Sequence, residues 1–135
     1  MLLVLAVSIW TDMAALFNDS TVRDCSKAVL ARAGFGYLEK EEAAFIVTGG
    51  DGYRCVPWPS TNEPSQASFR GRMPGGTVAI VHSHPRSRPR PSSGDVQLAR
   101  RLGMAIFVVS RDHVYAARAD GTVVTVVRKR GWAAR

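Results

Sequence analysis

The sequence contains few cysteines and no apolar run long enough to cross a membrane. Its two cysteines, Cys25 and Cys55, are too few for a disulfide scaffold and lack CxxC spacing, so both are predicted to be small hydrophobic core residues. The longest apolar run, 2–10, is too short for a bilayer-spanning helix. Because no basic residue precedes it and no clear cleavage site follows, the sequence favours a cytoplasmic protein. An exported toxin is the alternative, and residues 1–20 are left without an assigned role.

Acidic residues are also in deficit. The chain has 18 Lys and Arg against 11 Asp and Glu, a net charge of +7, and 15 of the basic residues are arginine. The planar guanidinium group suits carboxylates and phosphates. These charges favour an acidic substrate, for which Arg86 and Arg88 are candidate contacts. Nucleic-acid binding is less favoured, because no helix-turn-helix, zinc-finger or RNA-binding signature occurs.

The remaining composition is that of an ordinary globular protein, with 46% hydrophobic and 21% charged residues. A length of 135 residues predicts one domain, 1–135. Apolar residues at helical spacing and short β-branched runs predict these elements: helices 21–34 and 93–103, and strands 43–48, 53–56, 77–81, 105–110, 114–119 and 123–127. Since hairpins join most of the strands, we expect an α+β domain with one curved, mixed sheet flanked by helices. A long loop, 57–76, follows the first hairpin, and the basic tail 128–135 is expected to fray.

Two histidines follow the predicted strand 77–81. His82 and His84 are two residues apart, so on an extended chain they project to the same side. Two imidazoles on one side can hold one divalent ion, and a carboxylate completes the three protein ligands of a catalytic zinc site. Asp95, at the start of the helix 93–103, is the candidate for that ligand. The sequence therefore predicts one Zn²⁺ per chain.

Hydrolysis at such a site also needs a general base. Glu41 and Glu42 both precede the strand 43–48, and Glu42 adjoins it, so its carboxylate is predicted to be drawn toward the metal. Ser92 is predicted to donate its hydroxyl to the oxyanion that forms on attack. Ser92 and Asp95 also make a capping box for the helix, and the two roles can coexist.

The pattern H-x-H-x7-S-x2-D, with a glutamate about forty residues upstream, resembles the motif of the JAMM (MPN-plus) zinc metallopeptidases, particularly their prokaryotic JAB-like members. His82, His84, Ser92 and Asp95 match it position by position, and the likeness extends over about 42–127. It implies a cytidine-deaminase-like JAB/MPN fold. It also implies zinc held by the two histidines and Asp95, with Glu42 as general acid/base and Ser92 assisting. Residues 43–47 lack the glycines of many family members, so the choice between Glu41 and Glu42 stays open.

The implied activity is that of a JAMM-type metallopeptidase, which hydrolyses peptide or isopeptide bonds. The implied partner is a protein substrate, with removal or processing of a ubiquitin-like protein at its C-terminal tail as the leading hypothesis. A catalytically silent JAB-fold subunit that binds a partner is the second hypothesis, although silent relatives usually lose a ligand and none is missing here. A basic nucleic-acid-binding domain is the third. The sequence indicates neither the substrate nor the oligomeric state.

Overall fold

A computed structural model describes residues 13–61 and 66–133 of the chain. Within these ranges the main elements are α1 (Ser20–Arg32), β1 (Ala43–Gly49), β2 (Gly52–Pro57), β3 (Thr77–Ser83), α2 (Ser93–Leu102), β4 (Ala105–Val109), β5 (His113–Ala117) and β6 (Val123–Arg128). Residues 13–18 are also helical. Asp19 caps α1 by accepting hydrogen bonds from the backbone N–H groups of Thr21 and Val22. All predicted elements are present, and their ends agree with the prediction to within about two residues.

The six strands form one sheet in the order β2-β1-β3-β4-β5-β6. Neighbouring strands are antiparallel except for β3 and β4, which are parallel. A parallel pair needs a crossover connection, and here α2 supplies it. The expected mixed sheet with flanking helices is confirmed, and the crossover brings the start of α2 to the end of β3.

The two helices pack on opposite faces of the sheet. One hydrophobic core joins Val29 of α1 to Ile46, whereas the other joins Ala99 of α2 to Phe45. Because side chains alternate along a strand, even-numbered residues of β1 face α1 and odd-numbered residues face α2. Both faces of β1 are therefore apolar and buried.

Cys25 of α1 and Cys55 of β2 form a disulfide, with their Cα atoms 5.7 Å apart. The prediction of two unpaired hydrophobic residues is therefore wrong. Cys55 pairs in register with Ile46, so it lies on the α1 face, where Cys25 is buried. A single pair of cysteines 30 residues apart has no diagnostic spacing, and only packing of the helix on the sheet brings the two together. The bridge ties α1 to an edge strand.

The basic tail is anchored by a tryptophan. The indole N–H of Trp132 donates a 2.7 Å hydrogen bond to the carbonyl of Ser110, and the ring packs edge-on against Phe17. The expected fraying is therefore wrong for 128–133. Residues 134–135 and the apolar run 2–10 lie outside the described residues. In the part of the chain that the structure describes, no helix has the length and hydrophobicity needed to cross a membrane.

Candidate metal centre

His82 and His84 lie at the end of β3 on the face that packs against α2. Ile80, two residues before His82, belongs to the core on that face. The backbone N–H of His84 donates to the carbonyl of Val109 at 2.9 Å, which extends the pairing of β3 and β4 by one residue. The chain therefore stays extended and the two rings project to the same side, with centroids 4.9 Å apart. The predicted pairing of the imidazoles is confirmed.

Asp95 meets both histidines from the first turn of α2. Its Oδ1 lies 3.1 Å from His82 Nδ1, and its Oδ2 lies 3.1 Å from His84 Nε2. The predicted capping box is present, since the Ser92 hydroxyl accepts from the Asp95 N–H and the Asp95 carboxylate accepts from the Ser92 N–H. The cap fixes the carboxylate on the histidine side of the helix start. The structure thus brings the three predicted ligands into contact.

Glu41 completes the cluster. Its Oε2 lies 2.9 Å from His82 Nε2, and its side chain is only 9% exposed. Glu41 has the same parity as Ala43 and Phe45, so it projects from the α2 face of β1, toward the same side as His82. Ala43 pairs directly with His82 across the sheet, which brings Glu41 beside the histidines.

The prediction that the carboxylate of Glu42 lies near the histidines is wrong. Glu42 has the opposite parity and faces α1, where its carboxylate lies 3.4 Å from the Arg32 guanidinium and 3.2 Å from the Lys40 ammonium. It also accepts a hydrogen bond from the hydroxyl of Ser60. Its side chain is 3% exposed, so burial was predicted correctly but on the other face. Glu42 fastens the loop after β2 to α1, since Arg32 also donates to the carbonyl of Trp58.

The side chains of the cluster shift one another's pKa values. Burial by itself lowers the pKa of His82, but its hydrogen bonds to Asp95 and Glu41 and their negative charges outweigh burial and raise that pKa to about 9. For Asp95, burial raises the pKa, but hydrogen bonds from His82 and His84 outweigh it and bring the pKa below its ordinary value. Without a metal, the cluster is therefore held together by a protonated imidazole between two carboxylates.

A backbone carbonyl orients the second imidazole. His84 Nδ1 lies 3.0 Å from the carbonyl oxygen of Arg88, in the loop before α2. A carbonyl only accepts, so Nδ1 donates to it, and Nε2 is the nitrogen that faces Asp95. Metal-ligating histidines in proteins usually have such an outer hydrogen bond on their second nitrogen.

The donor set fits a divalent metal ion. One ligand atom each from Glu41, His82 and His84 lies within 4.8 Å of the others. Asp95 contacts both imidazoles and adds a second carboxylate. Imidazole nitrogen and carboxylate oxygen are ligands that Zn²⁺ accepts, and three of them leave a position open for water. The cluster can therefore hold a metal ion with a carboxylate to spare.

A cavity of about 280 Å³ opens beside this cluster. The loop after β2 forms one wall through Trp58, which packs on Phe45 and Phe69. The lining residues are Glu41, Trp58, Gln66, Ala67, Ile80, His82, Ser92, Gly94, Asp95, Leu98 and Ile106. A lining that combines carboxylate, imidazole and hydroxyl groups with apolar side chains is typical of a substrate site.

The other predicted site residues lie around the cluster. Ser92 is exposed and lines the cavity, and its hydroxyl contacts Asp95 Oδ2 at 3.0 Å. Arg86 and Arg88 are both exposed, and neither is among the described residues that line this cavity. Arg86 pairs with Asp112 at 3.5 Å. The loop that carries both arginines is thus held outside the cavity and next to His84.

Comparison with known structures defines the class of protein. A JAB1/MPN domain protein from Archaeoglobus fulgidus has a similar crystal structure, with a TM-score of 0.51 and 23% sequence identity. The match covers 76% of this chain and 91% of that chain. The mixed sheet and its helices are therefore a JAB1/MPN fold. None of the curated proteins compared with the chain matches it significantly.

The sequence also matches a family model. Residues 29–126 match the model of the prokaryotic homologs of the JAB domain, and the chain therefore belongs to this family. The JAB/MPN domain family includes zinc isopeptidases as well as inactive members. The predicted resemblance and fold class are confirmed. The region that matches the family model begins before Glu41 and therefore includes it.

Proposed function

We propose that the chain is a zinc-dependent hydrolase of the JAMM type that cleaves a peptide or isopeptide bond. The supporting observation is the convergence of Glu41, His82, His84 and Asp95 in one cluster, three members of which (Glu41, His82 and Asp95) line one cavity. Family membership adds support, because the family includes zinc isopeptidases.

In this proposal His82, His84 and Asp95 hold the metal. The orientation of His84 by Arg88 and the fixing of Asp95 by the capping box prepare these donors for one ion. Zinc in a site with three protein ligands acts as a Lewis acid that activates water and polarises a carbonyl.

Glu41 takes the part of general acid/base in place of Glu42. Its carboxylate lies within reach of a water molecule beside His82, and its side chain is almost fully buried. The carboxylate accepts a proton from the attacking water and delivers it to the nitrogen of the leaving amine. Glu42 cannot do this, because Arg32 and Lys40 hold its carboxylate on the other face.

Ser92 takes the part of the hydrogen-bond donor to the oxyanion. Its hydroxyl lines the cavity, and rotation about its χ1 angle moves the O–H from Asp95 toward a carbonyl oxygen in the cavity. The helix cap retains the second hydrogen bond of the box, from the Ser92 N–H to Asp95, during this rotation.

The proposed substrate is a protein, and the leading hypothesis within that class is a ubiquitin-like protein joined through its C-terminal tail. A cavity of about 280 Å³ is small enough to suit an extended tail better than a folded surface. Arg86 and Arg88 stay candidate contacts for acidic groups outside the cavity.

The test is metal analysis followed by a cleavage assay. Purified protein is expected to contain about one zinc per chain. It should cleave a ubiquitin-like protein fused through its C-terminal tail to a reporter, lose this activity to a zinc chelator and regain it with zinc. Protein that lacks zinc and cleaves no fusion would contradict the proposal. Zinc-loaded protein that cleaves no member of a panel of fusions would favour the silent JAB-fold subunit.

The cytoplasmic location predicted from the sequence stays a prediction. The Cys25–Cys55 disulfide weighs against it, because disulfides persist mainly in oxidising compartments. Fractionation of the producing cell, with the redox state of the cysteines measured by alkylation, would decide between cytoplasm and export.

A further inference from the structure

The segment after α1 exposes three large apolar side chains close together. Phe35, Tyr37 and Leu38 are 43%, 64% and 56% exposed, and they are the large hydrophobic residues with high exposure in the described part of the chain. Single exposed apolar residues are normal on protein surfaces, but a contiguous group marks an interaction site.

The backbone of this segment is held in an unfavourable conformation. Phe35 has a φ of 56°, a left-handed backbone conformation that residues other than glycine rarely adopt. Its N–H donates to the carbonyl of Leu30 at 2.9 Å, and the carbonyl of Gly36 accepts from the N–H of Arg86 at 3.1 Å. The strained turn is thus fastened at both ends, and its aromatic ring is still presented to solvent.

A second cavity, of about 300 Å³, adjoins these side chains. It is lined by Leu30, Phe35, Tyr37, Arg111, Arg130, Gly131 and Ala133. The Arg111 guanidinium lies over the Tyr37 ring, 4.5 Å from its centroid, so apolar and cationic surface are continuous.

The charge of this cavity has one sign. Its charged lining residues are Arg111 and Arg130, and no Asp or Glu is among the described residues that line it. Two acidic residues follow members of this group in the sequence. Asp112, after Arg111, is paired with Arg86, and Glu39, after Leu38, is exposed. An apolar surface rimmed by arginine complements a segment in which carboxylates flank apolar side chains.

The surface and the metal centre lie at the same end of the sheet, with Leu30 beside the surface on the α1 face and the histidines on the α2 face. The Gly36 carbonyl is hydrogen-bonded to the N–H of Arg86, which follows His84 by only two residues. Two residues of extended chain span about 7 Å. A protein held at this surface therefore has its neighbouring segment within reach of the cluster.

We propose that Phe35, Tyr37, Leu38, Arg111 and Arg130 form a docking surface, the aromatic–arginine surface, for an acidic, apolar segment of the protein substrate. That the partner is the substrate rests on the proposed function. That the surface binds an acidic, apolar segment does not depend on that function. Docking at this surface positions the scissile segment at the neighbouring cavity and lowers KM, with kcat unchanged.

The binding test uses metal-free protein and a fluorescein-labelled peptide in which glutamates alternate with leucine and phenylalanine. Tyr37→Ala and Arg130→Glu are each expected to weaken binding by at least about tenfold. Arg54→Glu is the matched control, because Arg54 is an exposed arginine on β2, far along the sheet, and undergoes the same charge change. It should change affinity less than about twofold, and a peptide with lysine in place of glutamate should not bind.

Any of three binding results would overturn the docking proposal. They are equal binding by Tyr37→Ala and the wild type, equal weakening by Arg54→Glu, and equal binding of the lysine peptide. A dimer in solution that Tyr37→Ala dissociates would also overturn it, since the surface would then pair two copies of the chain. Circular dichroism of each variant is the control for retained folding.

The kinetic test separates docking from the proposed function. With a cleavable protein substrate, Tyr37→Ala and Arg130→Glu should raise KM and leave kcat near that of the wild type. If the enzyme cleaves but KM does not change, the docking surface is wrong and the proposed function stands. If nothing is cleaved but the acidic peptide still binds at this surface, the proposed function is wrong and the docking chemistry stands.

Discussion

Glu41 and Glu42 are adjacent in the chain, but their carboxylates lie on opposite faces of the sheet. Glu41 contacts His82 at 2.9 Å, whereas Glu42 lies 3.4 Å from Arg32 and 3.2 Å from Lys40. Alternation along an extended strand separates them, since β1 packs against a helix on each side. One carboxylate is therefore available for chemistry, and the other holds a helix and a loop together.

Exchanging each glutamate for glutamine should separate these two roles. Glu41→Gln is expected to lower kcat by at least about a hundredfold, because it removes the general base. Glu42→Gln should retain hydrolysis but lose roughly 2 kcal/mol of stability, because it leaves Arg32 and Lys40 without their carboxylate.

The measurements are kinetics on the fusion substrate and urea unfolding for both variants. Each exchange removes one negative charge and preserves shape, so the two variants control for one another. A fully active Glu41→Gln protein, or an inactive but stable Glu42→Gln protein, would show that the roles are assigned the wrong way round.

Asp95→Asn should weaken zinc binding by at least about tenfold, because an amide replaces the anionic ligand. The helix cap should persist, since the amide oxygen still accepts from the Ser92 N–H. Zinc affinity is measured by competition with a chromogenic chelator. Asp51→Asn, in the exposed turn between β1 and β2, is the control that loses the same charge away from the cluster. Equal zinc affinity in the two variants would remove Asp95 from the ligand set.

The stability of the metal-free protein should depend on pH through His82. Its pKa in the folded protein, about 9, lies above the ordinary 6.5, so protonation stabilises the fold. This contribution is fully present below pH 6.5 and is lost as pH rises through about 9. Asp95 acts in the opposite direction: its lowered pKa contributes stability above its ordinary value of 3.8, and that stability is lost as pH falls further.

Urea unfolding of chelator-treated protein at pH 6, 7.5 and 9.5 tests this dependence. The unfolding free energy should decrease along that series, and His82→Gln should flatten the decrease. An increase in stability between pH 7.5 and 9.5 in the wild type, absent from the variant, would show that His82 is not the protonated partner of the carboxylates.

Reduction of the Cys25–Cys55 disulfide should destabilise the protein. Opening a loop closed over 30 residues is expected to cost about 3.6 kcal/mol, chiefly through the entropy of the unfolded chain. Urea unfolding with and without a reductant measures this difference. The double variant Cys25→Ala, Cys55→Ala should have the stability of the reduced protein and show no response to reductant. A wild type that responds no more than the double variant would show that the bridge does not form.

Much of the fold follows from local patterns. The turn at Asp120–Gly121 follows from local chemistry, because glycine tolerates positive φ, and Gly121 has a φ of 87°. The start of α2 was predicted from the capping box at Ser92, and that box is present. These features depend on residues a few positions apart, so the local sequence is sufficient to predict them.

The placement of the segment after α1 and of the C-terminal basic tail depends on contacts between residues distant in the sequence. Trp132 ends a basic segment that lacks periodicity, and only Phe17 and the Ser110 carbonyl explain its order. The exposure of Phe35, Tyr37 and Leu38 also had no signal, since the apolar residues of a turn usually pack onto the core. Neither outcome can be derived from neighbours in the sequence.

The sequence by itself determined the chemistry of the cluster: two imidazoles on one side of a strand and a capped aspartate at the start of the next helix. Period-two alternation and a helix cap act over a few residues, so they hold wherever the strand lies in the fold. Only the tertiary structure decided which glutamate joins them. The apolar run of β1 is buried on both faces, so its pattern cannot distinguish odd from even positions, and the packing of α1 and α2 makes that choice.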